Sequence, residues 1–207
     1  TTVMSDGVTG EGSTYWMYGI EKVLHWFEMR RVAGDPAFEN IDWFANTGTY
    51  GIYAALPGGT DNFGGNIRFD DANPEYWGNP YNELSLLAKA TRDPVAQWLA
   101  NELDHNGETK KNAYRYMFYD PTVPTATPDD LENWRFFDDY GYFIWRNSWA
   151  NDAQHFAIRS GQHSHGHSKC DDGQFMINRA GVPYIVNLGY AIPRYTQDAN
   201  VLLVDGT

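Results

Sequence analysis

Asp120-Pro121-Thr122-Val123-Pro124-Thr125-Ala126-Thr127-Pro128 divides this 207-residue chain into two unlike halves. Proline removes a backbone donor and fixes φ, so a stretch this rich in it continues neither a helix nor a ladder. It reads as a Pro/Thr linker. On its N-terminal side apolar residues recur at helical spacing. Trp16, Ile20, Val23, Leu24 and Phe27 predict a helix that starts at a Ser13 or Thr14 cap and stops near Gly34-Asp35-Pro36. Ile41 to Tyr53 predicts a second helix. Asn82 to Leu103 predicts further helix, with Pro94 as a break or a first-turn residue, and Lys110 to Tyr119 a last short one. Between them, Leu56-Pro57-Gly58-Gly59-Thr60-Asp61-Asn62-Phe63-Gly64-Gly65 is a loop whose glycines let backbone approach a ligand closely.

Beyond Pro128 the period changes. Gly141 to Trp145, Gln154 to Ser160, Gln174 to Arg179, Pro183 to Leu188 and Val201 to Val204 are short alternating runs of strand character. The expectation is an α+β chain of two units, helical over 1–128 and antiparallel β over 129–207. The last run ends at Asp205-Gly206 as if a strand had just turned, so a fragment at both ends is expected.

Composition narrows the function. A formal charge of −12 argues against nucleic acid as partner, because phosphate binding needs clustered Lys and Arg. Cys170 is the single cysteine, which excludes an intrachain disulfide. No run of about eighteen apolar residues is present, so no spanning helix is predicted. Eight Trp and fourteen Tyr offer flat platforms for sugars, although a bulky core would look the same. Arg146, Arg159, Arg179, Arg194 and Lys169 fall in the C-terminal third and could form a local cationic cleft.

Two segments carry chemistry. In Gln162-His163-Ser164-His165-Gly166-His167-Ser168-Lys169-Cys170-Asp171-Asp172-Gly173-Gln174-Phe175, an extended backbone would put His163, His165 and His167 on one face. Alternating imidazoles suit metal binding or proton transfer, with Asp171 or Asp172 as a further ligand. An incidental surface histidine cluster would share that spacing. In Asp6-Gly7-Val8-Thr9-Gly10-Glu11-Gly12-Ser13-Thr14-Tyr15-Trp16-Met17-Tyr18, a tyrosine opens a helix beside a glycine-rich loop, with Glu11 one turn earlier. Tyr15 and Tyr18 could equally be packing residues.

Together the two segments resemble the heparinase II/III-like polysaccharide lyases. The Gly10-Glu11-Gly12-Ser13-Thr14-Tyr15-Trp16 stretch is similar to their tyrosine-bearing segment. The histidine stretch, followed by Gly181-Val182-Pro183-Tyr184-Ile185-Val186-Asn187-Leu188-Gly189-Tyr190, is similar to their histidine-bearing sheet segment. Tyr142 to Trp149, Phe156 to Gly161 and Asn200 to Gly206 fit in order. The resemblance implies the C-terminal part of an (α/α) toroid followed by the start of an antiparallel β-sandwich, with a cleft between them. It implies Tyr15 and His165 as catalytic residues with Glu11 beside them. Candidate substrate contacts are Tyr18, Tyr53, Asn66, Arg146, Arg159 and His163.

The resemblance also implies a structural divalent metal (zinc, or manganese or calcium) at His167, Asp171 and Asn187, and a secreted or periplasmic protein acting on an acidic polysaccharide. The chain departs from the family pattern at three places. Asp171 follows His167 by four residues instead of two, Asn187 stands for an aspartate, and Ala199 precedes Asn200 where the family often has His-Asn. The group that neutralises the substrate carboxylate lies upstream of the tyrosine segment in these enzymes, so a missing segment or a second chain is expected to complete the site.

The reaction implied is β-elimination from a uronic acid in a glycosaminoglycan or alginate. Tyrosine is unionised below about pH 10, so Tyr15 needs cationic neighbours to act as the base. The competing readings are a glycoside hydrolase using Glu11 with Asp61, Asp70 or Asp71, and a non-catalytic glycan-binding module.

Overall fold

The computed structural model describes residues 4–35, 42–58, 65–72, 81–104, 113–161, 166, 167, 169, 172–187, 189, 195 and 199–201. The first half is helical: α1 (Gly12–Val32), α2 (Asp42–Ala54), α3 (Tyr81–Thr91), α4 (Pro94–Leu103) and α5 (Ala113–Phe118). α1 begins one residue before the expected cap. Glu11 occupies the cap position without a side-chain capping bond, and the Ser13 hydroxyl donates to the Ile67 carbonyl at 2.6 Å. α4 starts as the sequence indicates. Asp93 accepts from the amides of Val95 and Ala96, and Pro94 fills the first position, where a missing N–H has no helical acceptor.

The stretch expected to be a linker packs against the helices. Val123 is buried with Leu84, Ala88, Ala96 and Leu99, the Ala126 amide donates to the Pro94 carbonyl at 3.1 Å, and a 3-10 turn spans Pro128–Asp130. Its prolines end helices without releasing the chain.

The second half is one five-stranded antiparallel meander in sequential order: β1 (Trp134–Phe137), β2 (Tyr142–Arg146), β3 (Gln154–Arg159), β4 (Phe175–Arg179) and β5 (Val182–Ile185). β1 escapes sequence reading because it is an edge strand with three exposed residues in a row. Val201 lies outside any strand, and 202–204 lie outside the described residues.

The inner face of the sheet carries three rungs. Tyr142 pairs with Arg159, Ile144 with Ala157 and Met176, and Arg146 with His155 and Asn178. An apolar rung therefore separates two polar ones. Trp16, Ile20, Tyr50, Ile67 and Phe69 close over the apolar rung and over Phe137 and Tyr142, so one core joins the helices to the sheet. Burial on this scale supplies most of the driving force, at about 25 cal/mol per Å² of apolar surface.

The outer face is apolar as well. Trp134, Trp145, Phe156, Ile177 and Ile185 form one row, and Phe136, Phe143, Ile158 and Phe175 the next. Trp134, Phe136 and Ile177 are exposed. Among the described residues no helix is long and apolar enough to cross a membrane.

Candidate active site

Three segments meet at the start of α1. Gly12 has φ +84°, and a Cβ there would fall 2.3 Å from the Phe69 carbonyl oxygen, so only glycine lets the helix start lie against the strip 67–72. Asp70 follows with φ 58° and is fully buried. Aspartate is among the few non-glycine residues that tolerate this conformation.

Asp70 is held from three sides. It accepts from the Tyr142 hydroxyl and from the Lys169 amide, both at 3.0 Å, and the Arg159 Nε stands 3.4 Å away. Arg159 is itself fully enclosed, with Asp172 at 3.6 Å. This buried pair fixes the strip 67–72 to β3, and removing one partner from such a pair costs about 3–5 kcal/mol.

Asp71 turns the other way. Its Oδ2 meets His167 Nδ1 at 3.0 Å and its Oδ1 meets Lys169 Nζ at 3.2 Å. The His167 ring lies on the Tyr15 ring, centroids 3.7 Å apart and planes 16° from parallel. Glu11 completes the arrangement, since a Cβ on Gly166 would stand 2.8 Å from its Oε1. A phenol, an imidazole and the Glu11 carboxylate thus meet near the surface, above the buried Asp71–Lys169 pair. Such a set can accept, hold and return a proton.

The residues singled out in the sequence separate into groups. Tyr15, Glu11 and His167 come together. Tyr18, one turn along α1, is exposed with Lys22 Nζ 5.3 Å from its ring centroid. His163, His165 and Asp171 lie outside the described residues.

Four expected substrate contacts are placed elsewhere than the reading required. Arg159 is sealed beneath the site as the partner of Asp70. Arg146 lies at the far end of the inner face, four residues along β2 from Tyr142, or about 13 Å at strand rise. Its guanidinium donates to the carbonyls of Tyr53 and Ala55, both at 2.9 Å. Tyr53 is buried, its hydroxyl donating to the Glu132 carbonyl at 2.7 Å. Asn66 is buried against Met17. The cationic cleft inferred from the Arg-rich third is therefore not assembled by Arg146 and Arg159, because burial commits both to the protein interior.

Of the proposed metal ligands, Asp171 lies outside the described residues, and His167 and Asn187 each have a partner within the protein. His167 Nδ1 faces Asp71. The Asn187 carboxamide donates to Gln174 at 2.5 Å and accepts from the Gly189 amide at 2.6 Å, and Gln174 continues to Asn200 at 2.8 Å. Among the described residues no group of three or more His, Cys, Asp or Glu is placed to hold a metal ion.

Asp70 and Asp71 enter from the sequence only as alternative carboxylates of a competing hydrolase, and no local motif singles out Tyr142. Strand alternation puts Tyr142 and Arg159 on one face, which was a usable signal. No local signal tells that Asp70 points inward and Asp71 toward His167.

No protein-family profile matches the chain, and no curated protein matches it in sequence. Solved structures do. A heparinase III gene product superposes with a TM-score of 0.70 over 99% of this chain and 31% of its own, at 18% identity. Another heparinase III gives 0.63, covering 90% and 28% at 17% identity. The heparan sulfate lyase HepC from Pedobacter heparinus gives 0.66, covering 90% and 26% at 14% identity. The chain spans about a third of the length of these proteins or less, and over that span it has the fold of the heparinase III and heparan sulfate lyases.

Proposed function

We propose that this chain carries the tyrosine–histidine part of a polysaccharide lyase acting on a uronic-acid-containing polysaccharide, a glycosaminoglycan or alginate, with heparan sulfate as the first substrate to test and alginate as the second. The observation that carries the reading is the Tyr15–His167 stack, anchored by Asp71, on the fold of known heparan sulfate lyases. In this reading α1–α5 are part of an (α/α) toroid, the meander is one layer of a β-sandwich, and the protein acts outside the cytoplasm.

The chemistry is an elimination. The C5 proton passes to a base, the C5–H electrons form the C4–C5 double bond, the C4–O bond breaks, and the leaving oxygen takes a proton. Tyr15 is the group for proton exchange at the sugar, and the histidine segment supplies its partner. With Nδ1 turned to Asp71, His167 keeps Nε2 for the cleft, while His165 is the residue that the family motif assigns to the scissile bond. Glu11 orients the backbone at Gly166. The hydrolase alternative loses two of its carboxylates, because Asp70 is buried against Arg159 and Asp71 is bonded to His167 and Lys169; its third candidate, Asp61, lies outside the described residues.

The test is the intact protein incubated with heparan sulfate, chondroitin, hyaluronan and alginate and read for the ultraviolet absorbance of a 4,5-unsaturated end. Tyr15→Phe is expected to lower turnover by about 10²–10⁴-fold, the range of a lost general acid–base group, with substrate binding kept. Chain shortening without an unsaturated product would make the enzyme a hydrolase. Comparison of His165→Ala with His167→Ala assigns the partner.

A further inference from the structure

A cavity of about 40 Å³ opens between α2, α4 and the β2–β3 turn, at the end of β2 remote from Tyr142, and the elimination chemistry makes no use of it. Leu99, Leu103 and the partly exposed rings of Trp98 and Trp149 line it. Among the described residues, Glu102 and Arg146 are the only charged groups on its wall, and they make no ion pair with each other. Glu102 is partly exposed and has no hydrogen-bond partner among the described residues, so its carboxylate is open to an occupant. Arg146 is 4% exposed and donates to the carbonyls of Tyr53 and Ala55, so it acts on the cavity through its field and not as a ligand. Burial lowers it only to about 9, which leaves it a cation at neutral pH.

Charge and size together select the occupant. In a recess of low dielectric a free anion is repelled by Glu102 and a free cation by Arg146, so neither full charge is accepted. A neutral dipole is favoured by the same two walls. An amide carries about 3.5 D, and it can turn its N–H to the Glu102 carboxylate and its carbonyl toward the positive side. An ordered water needs about 10–15 Å³ of such space, so the cavity admits a group of about three or four heavy atoms, an acetamido group but no sugar ring. The leucines and indole rings provide the apolar surface that its methyl requires.

We propose that this cavity is an acetamido subsite, which takes the N-acetyl group of an N-acetylhexosamine with the amide N–H donated to Glu102 and the methyl against Trp98 and Trp149. The choice of a sugar as the carrier rests on the polysaccharide reading. The subsite turns that reading toward N-acetylated glycosaminoglycans, since alginate has no amide. It is a second hold on the polymer, away from the bond that breaks.

The methyl glycosides of N-acetylglucosamine, cationic glucosamine, anionic N-sulfoglucosamine and neutral glucose are the probes, titrated into the intact protein and read by saturation-transfer NMR. The acetyl methyl is expected to receive the strongest saturation, with saturable binding of the N-acetyl sugar and binding of the other three weaker by about tenfold or more. Glu102→Leu is expected to weaken the N-acetyl sugar by about tenfold, as loss of a hydrogen bond to a charged group does, and Trp98→Ala to weaken it severalfold. Tyr15→Phe leaves it unchanged. Should Trp98→Ala not fold, the sugar series and Glu102→Leu still decide. Turnover and N-acetyl binding are separate readouts: binding that depends on Glu102 in a protein without lyase turnover upholds the subsite and ends the elimination reading. Binding that ignores Glu102→Leu or is lost in Tyr15→Phe would put the acetamido group in the catalytic cleft and overturn the subsite, as would glucose binding as tightly as the N-acetyl sugar.

Discussion

Glu83 shows at the residue scale how the acidic interior registers as pH dependence. It sits in the first turn of α3 with 9% exposure, and desolvation first of all lifts its carboxyl to about 8. The unfolded chain ionises it near 4.3. The folded state therefore binds the extra proton between these values, and the contribution of Glu83 to stability is complete below the unfolded pKa and is lost as pH rises toward 8. His155 runs the other way: held down to about 3 from 6.5, it costs stability as pH falls below 6.5. The window from 6.5 to 8 thus isolates Glu83. Glu83→Gln is expected to flatten the fall in unfolding free energy across that window and to leave the variant the more stable protein at pH 8, as denaturant unfolding at successive pH values measures. Glu28 shows the contrary outcome for the same residue type. Burial would raise it, but hydrogen bonds from Arg31 at 2.7 and 2.8 Å and from Lys89 at 2.6 Å outweigh burial and hold it below its ordinary value. Sequence distinguishes neither glutamate from the exposed ones, since partner and burial are both tertiary.

At the scale of elements, the entry to α1 governs the site. Gly12 and Gly34 flank the same helix with nearly equal dihedrals, φ +84° and +82°, but a Cβ on Gly34 meets nothing within 4 Å whereas one on Gly12 strikes the Phe69 carbonyl. Gly34→Ala is expected to cost only the left-handed backbone strain, about 1–2 kcal/mol. Gly12→Ala must in addition push the strip 67–72 away, carrying Asp70 and Asp71 with it. A larger fall in the thermal midpoint and loss of lyase turnover are expected there, while Gly34→Ala keeps turnover. Equal effects from the two substitutions would detach the helix start from the site. Helix and strand periods were legible: α1–α4 and β2–β5 fall within a few residues of where apolar spacing and Pro94 put them. β1 was not, because an edge strand exposed on both sides has no alternation to read.

For the whole molecule the double-sided sheet is the main energetic consequence. Its inner face is closed by helices, while two apolar rows on the outer face leave Trp134 and Phe136 about half exposed, at 50% and 52%. Large exposed apolar patches and edge strands promote association. The 207-residue chain is therefore expected to bind a hydrophobic dye and to scatter light at high concentration, and Trp134→Lys with Phe136→Lys to reduce both with little change in thermal midpoint. Unaltered scattering would mean that the face is covered in solution.

Sequence alone determined the α+β division, most of the elements and the pairing of a tyrosine segment with a histidine segment, because periodicity, proline and short motifs act over a few residues. Only tertiary structure decided which charges serve the site. It enclosed Arg159 beneath Asp70, removed Arg146 to the far rung, and aimed Asp71 at His167, since burial and partner choice depend on chain segments far apart in sequence whose approach no local pattern encodes.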